Sequence, residues 1–171
     1  PGEFKADRNG IQRVWMDHGY WPVLTIWQYI QQTGDIEILL RVAPFFQDGL
    51  GMRGTQRNAI QADRSCTGTV AEHMLLEQLT AFCEAGEHGL LRLRDADWND
   101  ALDMAPQRGE SGAFTSAYAG SMELLAKMLE TLRQTGKCSS IDLPKRFEIL
   151  LGEEDNWASI ASRREKLNRF C

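Results

Sequence analysis

Little in this chain of 171 residues ties it to a membrane, a disulfide framework or a nucleic acid. No apolar run approaches the roughly 18 residues that a membrane span needs. The opening Pro-Gly-Glu-Phe-Lys-Ala-Asp-Arg lacks the basic-then-apolar order of a secretory signal, and residues 1–10 read as disordered or vector-derived. Basic residues are the minority: 19 Lys+Arg stand against 24 Asp+Glu, a net charge of −5. A phosphate backbone calls for a clustered basic face, and Arg92 with Arg94, or Arg163 with Arg164, are too few to make one. Cysteine is scarce and scattered. Cys66, Cys83, Cys138 and Cys171 form no Cys-x-x-Cys pair and have no His partner at zinc-finger spacing. Such thiols read as reduced and cytoplasmic, with no metal site implied.

What is present is helical periodicity. From Tyr20 to Gln32, Val23, Ile26, Trp27 and Ile30 recur at helical spacing, and Leu24 and Tyr29 widen the apolar surface. Pro22 fits a first turn and Gly34 a helix stop. A helix apolar over so much of its circumference is expected to be buried on several sides. Asp35 then reads as the cap of a short helix from Ile36 to Val42, closed by Pro44, and 46–68 reads as a long glycine-containing loop. Thr69 with Glu72 forms a capping box before a stripe of Leu75, Leu76, Leu79, Phe82 and Cys83. Leu90-Leu91-Arg92-Leu93-Arg94 alternates like a short extended segment. Further helices are expected from about Ala113 to Gln134, Leu143 to Leu151 and about Asp155 to Phe170. No repeat is evident and no strand series could build a sheet, so the class is all-α, with chemistry on the loops. The chain stops at Leu-Asn-Arg-Phe-Cys, inside a helical pattern, which reads as a piece of a longer protein.

The acidic loop is the most informative stretch. Asp95, Asp97, Asp100 and Asp103 fall within nine residues, around Trp98 and Asn99. A solvated turn is the plain reading, since Asp and Asn hydrogen-bond their own backbone. A calcium loop matches at Asp95, Asp97 and Asn99 but fails where Gly is needed and Asp100 stands, and where Glu is needed and Pro106 stands. A sugar-cleaving site is the third reading. It needs a carboxylic acid that protonates the departing oxygen, its proton retained near neutral pH by neighbouring carboxylates or an apolar wall. Elsewhere, Ser65 and Ser111 have no His/Asp constellation. His73 reads as structural and His88 as part of a turn, while Asp17-His18 reads equally as an acid/base pair or a polar turn. Trp15, Trp21, Trp27 and Trp157 read as core.

Asp97-Trp98-Asn99-Asp100, with Gly86-Glu87-His88-Gly89-Leu90 before it and Gly109-Glu110-Ser111 after it, resembles glycoside hydrolase family 94. Upstream, Thr69-Val70-Ala71-Glu72-His73, Thr33-Gly34-Asp35 with Ile38-Leu39, and Asp17 with Trp21 are similar to the family's segments in the same order. The resemblance covers about residues 17 to 125. It implies an inverting phosphorylase of cellobiose, chitobiose or related β-glucosides, built on an (α/α)6 barrel of which this chain is part. It implies Asp100 as general acid, Trp98 at the sugar, Asp97 as a supporting neighbour and Glu110 as a second substrate-binding neighbour. Inorganic phosphate is then co-substrate and nucleophile, and no cofactor is expected. The implied partners are a β-linked oligosaccharide, phosphate, the remainder of the parent chain and a homodimer mate, with the piece alone inactive. Arg94, Asp95, Ala101, Asp103 and His18 depart from the family pattern. An (α/α)6 hydrolase and an inactive carbohydrate-binding helical module therefore stand as alternatives.

Overall fold

Pro22 in the first turn and Gly34 past the last bound the first helix, α1 (Tyr20–Thr33). Gly34 takes φ 72°, the left-handed cap that a residue without Cβ adopts freely, and its N–H closes on Ile30. This is a computed structural model, and it describes residues 16–46, 62–93, 105, 107–152 and 157–170. A 3-10 turn (Ile36–Leu40) follows α1 and runs into β1 (Val42–Phe46), which pairs antiparallel with β2 (Ala62–Thr69). Next come α2 (Val70–Cys83), β3 (Leu91–Arg92), β4 (Glu110–Ser111), α3 (Gly112–Gln134), α4 (Phe147–Leu151) and α5 (Ile160–Phe170). The described residues are mostly helical, as an all-α chain requires, and the arrangement fits part of an all-helical barrel.

Several expectations need correction. Val42 does not extend the short helix, and Pro44 does not close it; Pro44 lies within β1, opposite Thr67, just before a register shift. A two-stranded ribbon consists only of edges, where a residue without an N–H is tolerated. Part of the expected 46–68 loop is likewise strand β2, so short ribbons exist where none was expected. The Leu143–Leu151 helix shrinks to Phe147–Leu151, with Phe147 N–H turning back to Pro144. In the last helix the described residues become helical at Ile160; Asp155 lies outside them.

The central helix is α2 rather than α1. Only Val23 and Ile30 are buried in α1, whereas α2 buries Ala71, Met74, Leu76, Leu79, Ala81 and Cys83 together with the polar Glu72 and Gln78. Its residues enter all three apolar clusters. Met74 packs with Val23, Leu39, Leu125 and Met128; Leu76 and Leu79 pack with Phe45, Phe147, Leu150 and Leu167; Ala81 packs with Met16, Leu91, Leu93 and Tyr118. The third cluster lies directly under β3.

The capping box is formed as expected. Glu72 N–H donates to Thr69 Oγ1 at 3.2 Å, and Thr69 N–H donates back to the Glu72 carboxylate. Thr69→Ala should lower stability by about 1 kcal/mol while Thr69→Ser is nearly neutral. Urea unfolding of the two variants measures this, and equal midpoints would show that the box contributes nothing.

Candidate active site

Asp97, Trp98 and Asp100 lie outside the described residues, as do Asp95 and Asp103. The structure instead defines the two ends from which their segment departs. Leu91 pairs with Ser111 and Arg92 with Glu110. Leu93 N–H donates to Gly109 O at 2.9 Å, Gly109 N–H to Ala105 O at 2.9 Å, and the Arg92 guanidinium to Gln107 O at 2.6 Å. Leu93 and Ala105, the described residues on either side of 94–104, are thereby joined through Gly109 in one narrow stem. The stem is fastened to the start of α3. Ser111 caps that helix by accepting from Phe114 N–H, while Thr115 Oγ1 accepts from Leu91 N–H at 2.9 Å and donates to Ser111 O at 2.6 Å. Below it, Leu91 and Leu93 are buried against Met16, Ala81 and Tyr118.

Glu110 is at the heart of the stem. His88 N–H approaches both of its oxygens, at 3.1 and 3.2 Å. Leu90 N–H donates to Oε2 at 3.1 Å, and His88 Nδ1 lies 2.9 Å from Oε1. Burial alone would raise the carboxyl's pKa, but the His88 ring and the two backbone donors outweigh it and hold the group below the ordinary carboxylate value. The space for this side chain is made by Gly86: a Cβ there would stand 2.1 Å from Glu110 Cδ. The 86–90 turn closes on itself through Gly86 N–H to Leu90 O at 2.7 Å, with Gly89 at φ 82°. From outside, Arg164 donates to Ala85 O at 2.7 Å and Arg163 to Gly89 O at 3.3 Å, so α5 braces the same turn. Arg108 also bridges to Glu87, at 2.6 Å, but both side chains are exposed and the pair is worth little.

The turn at 16–19 abuts this floor through Met16. Asp17 and His18 are buried there, and Asp17 Oδ2 accepts from Trp21 Nε1 at 2.8 Å. A buried polar ladder fixes the turn. Tyr118 OH donates to Met16 O at 2.6 Å and accepts from Gly19 N–H at 3.1 Å; Gln78 Nε2 donates to Gly19 O at 2.8 Å; Ser121 donates to Gln78 Oε1 at 2.7 Å. Trp21 itself is 49% exposed, contrary to its expected core position, although its indole N–H is tied to the buried Asp17 carboxylate.

Other candidates resolve simply. His73 stacks on Phe45 at 4.0 Å with its Nε2 3.2 Å from Ala43 O, and burial lowers its pKa, the arrangement of a neutral structural histidine. Burial pushes the Cys83 thiol up to about 11, which leaves it protonated and unreactive. Among the described residues no group of three or more His, Cys, Asp or Glu could hold a metal ion. No helix among them is long and apolar enough to cross a membrane. A groove of about 530 Å³ between α2, α3 and α5 is lined chiefly by apolar groups, including Phe82, Leu91 and Met122, with Glu123 the sole carboxylate among its described residues. Those residues offer no pair of acids. The Gly86–Glu110 contact was not anticipated as a structural unit, although its two halves, Gly-Glu-His-Gly and Gly-Glu-Ser, flank the acidic loop in the sequence.

Residues 3–135 match the family model described as the catalytic domain of the glycosyl hydrolase 94 superfamily. The chain is 30% identical over 90 residues to a solabiose phosphorylase of Paenibacillus borealis, covering 53% of this chain and 10% of that protein. It is 28% identical over 132 residues to a 3-O-beta-D-glucopyranosyl-beta-D-glucuronide phosphorylase of the same organism, covering 76% and 15%. It is 25% identical over 134 residues to an N,N'-diacetylchitobiose phosphorylase of Vibrio furnissii, covering 78% and 14%. The chain thus spans 10% to 15% of the length of these relatives.

Proposed function

The chain belongs to the glycosyl hydrolase 94 superfamily, and on that footing we propose that the full-length protein is an inverting glycoside phosphorylase of β-linked glucosides. The observation that supports it is the name phosphorylase shared by the relatives above, together with a family-model match over residues 3–135 that includes the acidic loop.

In this reading Asp100 carries the proton. As the bond from the anomeric carbon to the glycosidic oxygen breaks, the Asp100 carboxyl gives its proton to that oxygen and the released sugar leaves neutral. A phosphate oxygen forms the new bond from the opposite ring face, so a β-glucoside yields an α-sugar 1-phosphate. Phosphate is already nucleophilic, and no carboxylate is needed to activate water, unlike in an inverting hydrolase. Trp98 lies against the sugar ring and Asp97 supports the acid, its charge helping Asp100 to keep its proton. Phosphate is the co-substrate, and no cofactor takes part. The remaining subsites come from residues beyond these 171, arranged around an (α/α)6 barrel.

The test is product identity. The full-length protein, incubated with cellobiose, N,N'-diacetylchitobiose and related β-glucosides, should release an α-sugar 1-phosphate when phosphate is present and cleave nothing when it is absent. Two free sugars formed without phosphate would make it a hydrolase instead.

A further inference from the structure

We infer that Glu110 is a positioning residue, one that sets the geometry of the acid-bearing segment instead of binding the sugar. Its kinetic consequence rests on the phosphorylase reading; its structural consequence does not.

A carboxylate accepts at about four lone-pair sites. Glu110 receives His88 N–H on both oxygens, Leu90 N–H on Oε2 and the His88 ring on Oε1, all within 3.2 Å. Its side chain is only 7% exposed. A sugar hydroxyl would have to displace a backbone donor to reach it, and that donor would then be left without a partner. The carboxylate is also enclosed: Gly86 is the one residue type that admits its Cγ and Cδ, since a Cβ there would come within 2.2 Å of both. What the contact accomplishes is mechanical. It joins the 86–90 turn to the first residue of β4, opposite Arg92, and so ties together the two strands that flank residues 94–104 in the sequence. An acid that must meet a glycosidic oxygen within hydrogen-bond reach tolerates little displacement, and an error of about 1 Å can cost ~10²-fold in rate.

The experiment compares Glu110→Ala, Glu110→Gln and Gly86→Ala in the full-length protein. Glu110→Ala should lower kcat for phosphorolysis by about 10–100-fold and leave KM for the disaccharide within about twofold, the pattern of a support residue. Glu110→Gln should recover most of the loss, because its amide oxygen still accepts from the 88 and 90 backbone. Gly86→Ala, which evicts the carboxylate without removing it, should reproduce the Ala result. A KM raised by about tenfold or more at unchanged kcat would make Glu110 a sugar ligand and overturn the inference. Amide hydrogen exchange provides the arm that needs no activity. In Glu110→Ala the Leu90 and His88 amides should exchange at least about tenfold faster while the amides of α2 keep their protection. Unchanged exchange at Leu90 would overturn the clasp even in an active enzyme. A wild-type protein without phosphate-dependent cleavage would overturn the phosphorylase reading and leave exchange to decide the clasp.

Discussion

Replacing Asp100 by Asn should reduce phosphorolysis of an unactivated β-glucoside by about 10²–10⁴-fold, the usual contribution of a positioned general acid. Asn keeps the shape of the side chain and can still hydrogen-bond to the sugar, but it has no proton to release to the departing oxygen. The loss should therefore appear in kcat, with KM close to wild type. The leaving group distinguishes this role from a generic disruption. An aryl glucoside whose phenol departs unaided does not need protonation, so the variant should retain far more of its activity on such a substrate. By microscopic reversibility the synthetic direction should fail as well, since the same carboxylate must take a proton from the acceptor hydroxyl. Steady-state assays in both directions measure all of this. An Asp100→Asn enzyme with undiminished phosphorolysis would show that another group is the acid.

The second large effect lies in the apolar core. Phe147→Ala should destabilise the fold by about 3–5 kcal/mol, against a typical total near 5–15 kcal/mol. The ring is fully buried among Phe45, Leu76, Leu79, Cys83 and Leu150, so truncation opens a cavity lined by rigid neighbours. Its helix is only five residues long and has no stability of its own. Leu167 of α5 packs in the same cluster, and the arginines of α5 brace the 85–89 turn. The loss should therefore reach the stem. Guanidinium unfolding gives the stability change, and Leu143→Ala, at a position 37% exposed, serves as the control with an effect within about 0.5 kcal/mol. Equal midpoints for the two variants would remove Phe147 from the core.

How far the sequence could be read depended on whether the physics was local. Thr69 with Glu72 and Gly34 at the end of α1 were legible because a cap involves residues within one turn of each other. The long helix α3 was legible because Phe114, Tyr118, Ser121, Leu125, Met128 and Leu132 keep one period over its length. Pro44 misled, since proline stops a helix in most contexts, and only the partner strand Ala62–Thr69 reveals that it sits on an edge. That partner carries Ala62, Asp63, Arg64, Ser65 and Cys66, with none of the branched alternation by which strands are recognised. Gln78, a polar residue with no local partner, is 1% exposed because Gly19 and Ser121 satisfy its amide from two other elements. Of the candidate site, the residue types of the acidic loop were plain, whereas the partners of Glu110 were not. Joining residue 110 to residues 88 and 90 requires a fold, and no periodicity announces it.

The polar ladder beneath the stem also dictates an order of events. Its hydrogen bonds connect residues separated by 43, 59, 99 and 102 positions. None can form within a helix or between neighbours in the chain. Synthesis at ~5–20 residues per second makes Met16 about 5–20 s before its partner Tyr118 exists. During that interval the turn at 16–19 has no fixed conformation to adopt, however well α1 and α2 have formed. The floor beneath the stem is thus a late product of folding, completed only when α3 arrives, and a chain stalled before residue 118 would hold intact helices around an unfinished foundation.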